Sequence, residues 1–273
     1  MTAPVPLPRI TLPKLRPFVQ EQDFAARQYR GRRENQEDYY AFADAADMTE
    51  APLRKLMLVV GDGLGAHAGG SVASYLAVNA FVRAFHEQTG GAAGRLRAAL
   101  DVANDTLGFV SSRMPSLAPP MGTTMLSVIV SHDGLQWVSV GDSPLFLFRG
   151  GALRRMNADH SLTPVLEERV KRGELTAEEA ANHPDRHALQ SALLGMPMAL
   201  VDAAAEPVPL KAGDIVIAAS DGILTLNARA LEELLSFGQN TTADKIAEAI
   251  LFAIRRINHE RQDNATVGVI KIP

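Results

Sequence analysis

The apolar residues of this chain change period along its length, and the changes mark its elements. The run Leu56, Met57, Leu58, Val59, Val60 is short and continuous, as a strand buried on both faces would be. Beyond it, Tyr75, Val78, Phe81, Val82 and Phe85 share one helical arc while Asn79, Arg83 and Glu87 fall off it, which predicts a helix packed on a sheet. Gly90, Gly91 and Gly94 interrupt that helix, and Leu96, Leu100, Ala103, Leu107 and Val110 start a second one at four-three spacing. From Gly122 the period shortens. Runs at 123–130, 135–140, 145–149 and 152–156 are separated by Asp133-Gly134, Gly141-Asp142-Ser143 and Gly150-Gly151, the turn signals of one antiparallel meander.

The remaining stretches are read the same way. Residues 29–42 place aromatic residues on either side of a charged centre, which predicts two short strands around a polar bend. Residues 164–196 are charged and helix-prone, with a capping-box pattern from Thr176 to Glu179 and breaks at Pro184, Asp185 and Gly195, as an inserted subdomain would have. A buried strand at 215–219 ends in Ser220-Asp221-Gly222. Ile246, Ile250, Ala253 and Ile257 mark a helix that Thr241 or Asp244 would cap, and a strand at 266–271 follows Asp263-Asn264. Pro4, Pro6, Pro8, Pro13 and Pro17 forbid a helix over the first twenty or so residues and predict an extended arm. No internal repeat is visible.

Composition narrows the function more than the fold. With 273 residues and 47% hydrophobic content, the chain holds enough apolar surface for one large domain or two small ones. Its 27 basic and 31 acidic residues offer no broad cationic surface, so neither nucleic acid nor a membrane is expected as a partner. It has no cysteine, which excludes disulfides, thiolate nucleophiles and zinc-thiolate sites. The sequence shows no apolar run of 18 or more and no signal-peptide pattern, and it reads as cytoplasmic.

Four acids share one context: Asp62 in V-G-D-G, Asp142 in V-G-D-S, Asp221 in A-S-D-G and Asp263 in Q-D-N-A-T-V. Each stands at the end of a strand run beside a small residue or turn former. A single Asp-Gly there is ordinarily just a turn. Four such acids at one sheet rim would repel, and a hard divalent cation would relieve the conflict; without cysteine, Mg²⁺ or Mn²⁺ suits the oxygen ligands better than zinc. Two cations bridged by one carboxylate, roughly 3.5–4 Å apart, would activate a water near neutral pH. The glycines around Asp62 let the backbone pass close to such ligands. Periodicity and composition therefore reach a metal-dependent enzyme of α/β type.

The ordered set R-R-E-N-Q-E-D (32–38), G-D-G-L-G-A-H-A-G-G (61–70), M-G-T-T (121–124), V-G-D-S (140–143), A-D-H-S (158–161), A-S-D-G (219–222) and D-N-A-T-V (263–267) resembles the bacterial metal-dependent type 2C protein serine/threonine phosphatases. The likeness runs over about residues 25–272. It implies an α+β, four-layer αββα sandwich in which two antiparallel sheets are flanked by helix pairs. One catalytic domain at 23–273 would follow an arm at 1–22 and carry a small helical flap at about 164–196. It also implies that Asp62 bridges two Mn²⁺ or Mg²⁺ ions, with the Gly63 carbonyl as a further ligand. Asp221 and Asp263 would hold the first ion and the pair Glu37/Asp38 the second, largely through water. Asp142 would hold a third, weaker ion or orient metal-bound water. Arg33 would grip the substrate phosphate, since a planar fork of donors suits its oxygens.

The reaction implied is direct in-line attack by metal-bound hydroxide on phosphoserine or phosphothreonine, with phosphorylated proteins, a cognate kinase or its substrates as partners of a monomeric enzyme. His67 would serve as general acid or pack against its loop, and Asp159 and His160 would brace the way into the insert. Where the family has an arginine after V-G-D-S, this chain has Pro144, which removes a structural ion pair. Two other readings compete. Gly61-x-Gly63-x-x-Ala66 satisfies a dinucleotide-binding fingerprint, but the acid that should follow at the end of a second strand is Glu87, on a helix tail. A non-catalytic, phosphatase-like adaptor would be expected to have lost a metal ligand, and none is missing.

Overall fold

The computed structural model describes residues 16–45, 54–65, 69–113 and 121–273. Within them the β-rich runs pair into two five-stranded sheets, and every ladder is antiparallel. The first sheet comprises β1 (Phe24–Tyr29), β8 (Leu145–Arg149), β9 (Ala152–Arg155), β11 (Ile215–Ala219) and β12 (Ala265–Lys271), in the order β1-β12-β11-β8-β9. The second comprises β2 (Tyr39–Asp44), β3 (Leu56–Gly61), β6 (Met125–Ser131), β7 (Gly134–Val140) and the short β10 (Asp202–Ala203), in the order β10-β7-β6-β3-β2. A two-residue ladder joins β4 (Gly63–Leu64) to β5 (Gly122–Thr123) beside the second sheet.

The sheets face each other across an apolar layer. Leu58, Val60 and Val128 meet Leu147, Val216 and Ile270 there, with Phe18 packed against them from the segment before β1. At Gly268 on β12 an added Cβ would lie 2.4 Å from Leu58 Cδ2, so glycine is what lets the two sheets approach at that point. Helices α1 (Gly69–Glu87) and α2 (Ala92–Arg113) cover the outer face of the second sheet, where Phe81 and Leu100 bury Met57 and Val59. Helices α5 (Ala228–Gly238) and α6 (Ala243–Ile257) cover the first, where Leu231 and Ile250 bury Ile217 and Val267. This is the expected four-layer αββα sandwich. The antiparallel ladders are incompatible with a dinucleotide-binding βαβ unit, whose strands run parallel.

Several local expectations are corrected. The four runs from 123 to 156 are not one meander: β6 and β7 belong to one sheet, β8 and β9 to the other. The Gly141-Asp142-Ser143 signal is therefore a crossing between layers, with Gly141 at a φ of +105° that favours glycine. Tyr75 does not join the helix core. It is 52% exposed, while Val78, Phe81 and Phe85 are fully buried as expected and Ala73, Ala77 and Ala84 complete that face and let α1 lie close to its neighbours. The strand expected from residue 29 lies upstream, at 24–29. Helix α6 is capped by Thr242, whose side chain accepts from Lys245 N, and Asp244 pairs instead with Arg27 at 2.7 Å. Its inward face also runs through Leu251 and Ile254 and leaves Ile257 exposed. Helix α5, unforeseen in the sequence, is capped by Asn227.

Between β9 and β10 lie the helices α3 (Thr163–Lys171) and α4 (Ala177–Ala181), and the Thr176/Glu179 capping box is present. Residues 1–15 of the proline-rich arm, and His67, fall outside the described residues. No helix among the described residues is long and apolar enough to cross a membrane.

Candidate functional site

Four strands end at the same rim of the sandwich and deliver their acids to one cavity of about 340 Å³. Asp62 follows β3, Asp142 lies in the crossing from β7 to β8, Asp221 follows β11, and Asp263 precedes β12; all four line it. The bend between β1 and β2 adds Arg33 and Glu37, and Gly63 joins them. Asp38 is set just behind this lining, 4% exposed. The structure thus brings the sequence-predicted residues to one place, seven in the wall and one beneath it.

Local geometry fixes them. The backbone at Asp62 is clamped from both sides: its N–H donates to Thr124 Oγ1 (3.0 Å), and its carbonyl accepts from Thr124 N (2.8 Å) and Thr123 Oγ1 (2.9 Å). A Cβ at Gly63 would meet Gly70 O at 2.2 Å, and one at Gly70 would meet the Glu37 carboxyl carbon at 2.8 Å, so both glycines are close-approach positions. Asn264 organises the bend: its Oδ1 accepts from Glu37 N (2.7 Å), and its Nδ2 donates to Arg30 O and Asn35 O. Arg33 Nη2 donates to Asp263 Oδ2 at 2.5 Å.

Electrostatically the cavity is unsatisfied. Burial, aggravated by the Asp38 and Asp221 charges, pushes the Asp62 carboxyl well above its ordinary range. Burial and the Asp142 charge raise Asp221 to about 7. Burial also raises Asp38 to about 6 although Thr266 Oγ1 and Ser220 Oγ each donate to its Oδ2 at 2.7 Å, and it raises Asp142 to about 6 beside Asp159. Asp38 Oδ1 and Asp221 Oδ1 are buried without any hydrogen-bond partner. Among the described residues no three acidic or histidine side chains already have the spacing of a closed metal cage. The donor set nonetheless fits hard divalent cations: it is all oxygen, it is crowded with carboxylates, and two of its buried oxygens have nothing else to bind.

The surroundings settle two minor expectations and add residues that the motifs did not single out. His160 is a brace: Gly141 N donates to its Nδ1 (3.2 Å), its own N–H donates to Gly141 O (3.1 Å), and burial lowers its pKa. Asp159 pairs with Arg155, which also donates to Asp142 O (2.8 Å). Pro144 opens β8, and its carbonyl accepts from Ala219 N (3.1 Å). Thr124 and Asn264 were visible only as companions within motifs; their roles come from side-chain bonds across the fold. His187 and Leu189, which also line the cavity, come from the charged insert, where no local pattern distinguishes them.

Comparison with known proteins agrees with this geometry. The family model for Protein phosphatase 2C matches residues 31–253. The serine/threonine protein phosphatase PstP of Mycobacterium tuberculosis (strain CDC 1551 / Oshkosh) is 32% identical over 73% of this chain, a match that spans 36% of PstP's own length. The serine/threonine phosphatase stp of Listeria monocytogenes serovar 1/2a is 29% identical, with 79% of this chain and 84% of that protein covered. A solved structure of the PstP catalytic domain in complex with two manganese ions superposes with a TM-score of 0.70 at 28% identity, covering 91% of this chain and 96% of that one. A family model that spans residues 31–253 and a sandwich shared with solved phosphatases lead to one assignment: the chain belongs to the Protein phosphatase 2C family.

Proposed function

We propose that the protein is a metal-dependent phosphoprotein phosphatase that hydrolyses phosphoserine and phosphothreonine monoesters at the carboxylate rim. The observation that carries this reading is the unsatisfied cluster itself: Asp38, Asp62, Asp142 and Asp221 are all held above their ordinary range by burial, and oxygens on Asp38 and Asp221 are left without partners. Asp62, the Gly63 carbonyl, Asp221 and Asp263 would hold one Mn²⁺ or Mg²⁺, and Asp62 with Glu37 and Asp38 a second. Asp142 would take a third. When bound, such ions acidify a water and withdraw charge from phosphate oxygens.

The protein's own groups do the positioning. The Thr123 and Thr124 bonds keep Asp62 in one orientation. Arg33 turns its guanidinium to the phosphate, which requires it to leave Asp263. With side chains 59% and 36% exposed, that pair holds by only about 0–1 kcal/mol, so the exchange costs little. The substrates are phosphorylated proteins, among them a Ser/Thr kinase or its targets, and the insert at 164–196, which reaches the cavity through His187 and Leu189, helps select them.

The purified protein is expected to hydrolyse p-nitrophenyl phosphate and a phosphothreonine peptide with Mn²⁺, and Asp62→Asn should lower kcat by about a hundredfold or more. Full activity in excess EDTA would refute the reading.

A further inference from the structure

The cavity is rich in acceptors and poor in protons. Its carboxylates serve cations only when ionised, and Arg33 does not give up its proton in a protein. Yet a serine or threonine oxygen leaving phosphorus needs a proton. Among the described residues, His187 is the one imidazole that lines the cavity, and the imidazole is the side chain ordinarily used to carry a proton to a leaving group.

Its placement is specific. The flanking backbone is tied on both sides: Thr163 Oγ1 donates to Arg186 O (2.9 Å), Leu162 N to Ala188 O (2.9 Å) and Gln190 N to His160 O (2.8 Å). Residue 187 is therefore held at the cavity mouth by the same loop that His160 braces from the sheet side. The other described histidines are engaged. His86 lies edge-on to Phe85, His132 pairs with Asp133, His160 accepts from Gly141 N, and His183 and His259 accept backbone bonds from Asp185 and Arg261. Among the described histidines His187 alone has neither a hydrogen bond nor an ion pair nor a ring contact, although it lines a cavity shared with Asp142, Asp221 and Asp263. An exposed imidazole held over a reaction cavity without a partner is free to meet a substrate.

We propose that His187 is the general acid for the leaving group, an inference that rests on the phosphatase reading above. As the oxygen of water bonds to phosphorus and the ester P–O bond breaks, the imidazolium passes its proton to the departing serine or threonine oxygen. The attacking water releases a proton to solvent, and the imidazole regains one from solvent, so the net change is ester plus water to alcohol plus phosphate.

The test is the dependence of rate on the leaving group. In the Mn²⁺-loaded protein, His187→Ala and His187→Asn are compared with wild type on a phosphothreonine peptide, whose leaving alkoxide needs protonation, and on p-nitrophenyl phosphate, whose leaving phenolate needs it little. The ratio of peptide kcat to p-nitrophenyl phosphate kcat is expected to fall by about a hundredfold in both variants, at unchanged melting temperature. Equal losses on the two substrates, or none, would overturn the assignment. So would a selective loss in His67→Ala with none at His187. A wild-type protein inert on both substrates removes the phosphatase reading and takes this inference with it.

Discussion

The middles and the ends of the same strands are governed by opposite physics. Along β3 every side chain from Leu56 to Val60 is fully buried and apolar, and the residue after the strand is Asp62. Along β11 Ile215 to Ala219 are equally buried, and two residues on stands Asp221, held near pH 7. In the middle each group finds what it needs in its neighbours. At the ends each carboxylate is made less comfortable by the others. The contrast teaches that the apolar middles of the strands stabilise the fold while the acidic ends of the same strands oppose it. The rim is a cost the sandwich carries, relieved only when cations arrive.

Removing an apolar side chain from the middle and removing a charge from the rim should therefore move stability in opposite directions. The largest effect is expected at Leu58, fully buried where the sheets approach at Gly268. Leu58→Ala should destabilise by about 2–5 kcal/mol in urea denaturation, and a loss under about 1 kcal/mol would mean the interlayer core is not what holds the sandwich. Next is Asp221→Asn in cation-free protein. Below about pH 4 the carboxyl is protonated in both folded and unfolded chains. Above that the unfolded chain ionises while folded Asp221 keeps its proton up to about 7, so the penalty grows with pH across this interval and is complete above it. The variant should then be more stable than wild type by about 1–3 kcal/mol at pH 8. The gain should vanish toward pH 4 and reverse with Mn²⁺, as followed by thermal melts in EDTA and in MnCl₂. The smallest effect separates charge from polarity. Ser220→Ala removes a donor to Asp38 and an acceptor for Thr266 N, and should cost about 1 kcal/mol in the same melts. A stabilised Ser220→Ala would show that crowding, and not charge, is what strains the rim.

Much of this was legible in the sequence because the signals are local. A run of branched apolar residues followed by glycine or serine and then aspartate states in a few letters that a strand ends and an acid begins, and Asp62, Asp142 and Asp221 are each written that way. What was not legible depends on distant partners. The Gly141-Asp142-Ser143 turn looks the same whether the chain folds back in its own sheet or crosses to the other; the choice is made by β11, which pairs with β8 from some seventy positions downstream. Tyr75 keeps helical spacing yet turns outward, because its edge contact with Tyr39 suits the rim of the helix better than the close packing its alanine neighbours allow. Helix α5 hid in a short amphipathic stretch between two stronger signals. His187 carries no motif, since only the tertiary bonds of the insert bring it to the cavity.

The place of β12 has a consequence for how the molecule is made. This strand is the last one in the described chain, yet it lies second in its sheet, paired with β1 on one side and β11 on the other. Phe24 thus meets Ile270, and Tyr29 meets Ala265, across nearly the whole length of the chain. As the polypeptide leaves the ribosome, β1 must wait without a neighbour while every other described strand is synthesised, and Asp263 arrives just ahead of the strand that closes the gap. Such distant pairing slows folding, and it leaves the edges of β1 and β11 exposed until β12 has been made. The same delay withholds the full set of carboxylates from passing metal ions until the sandwich is closed.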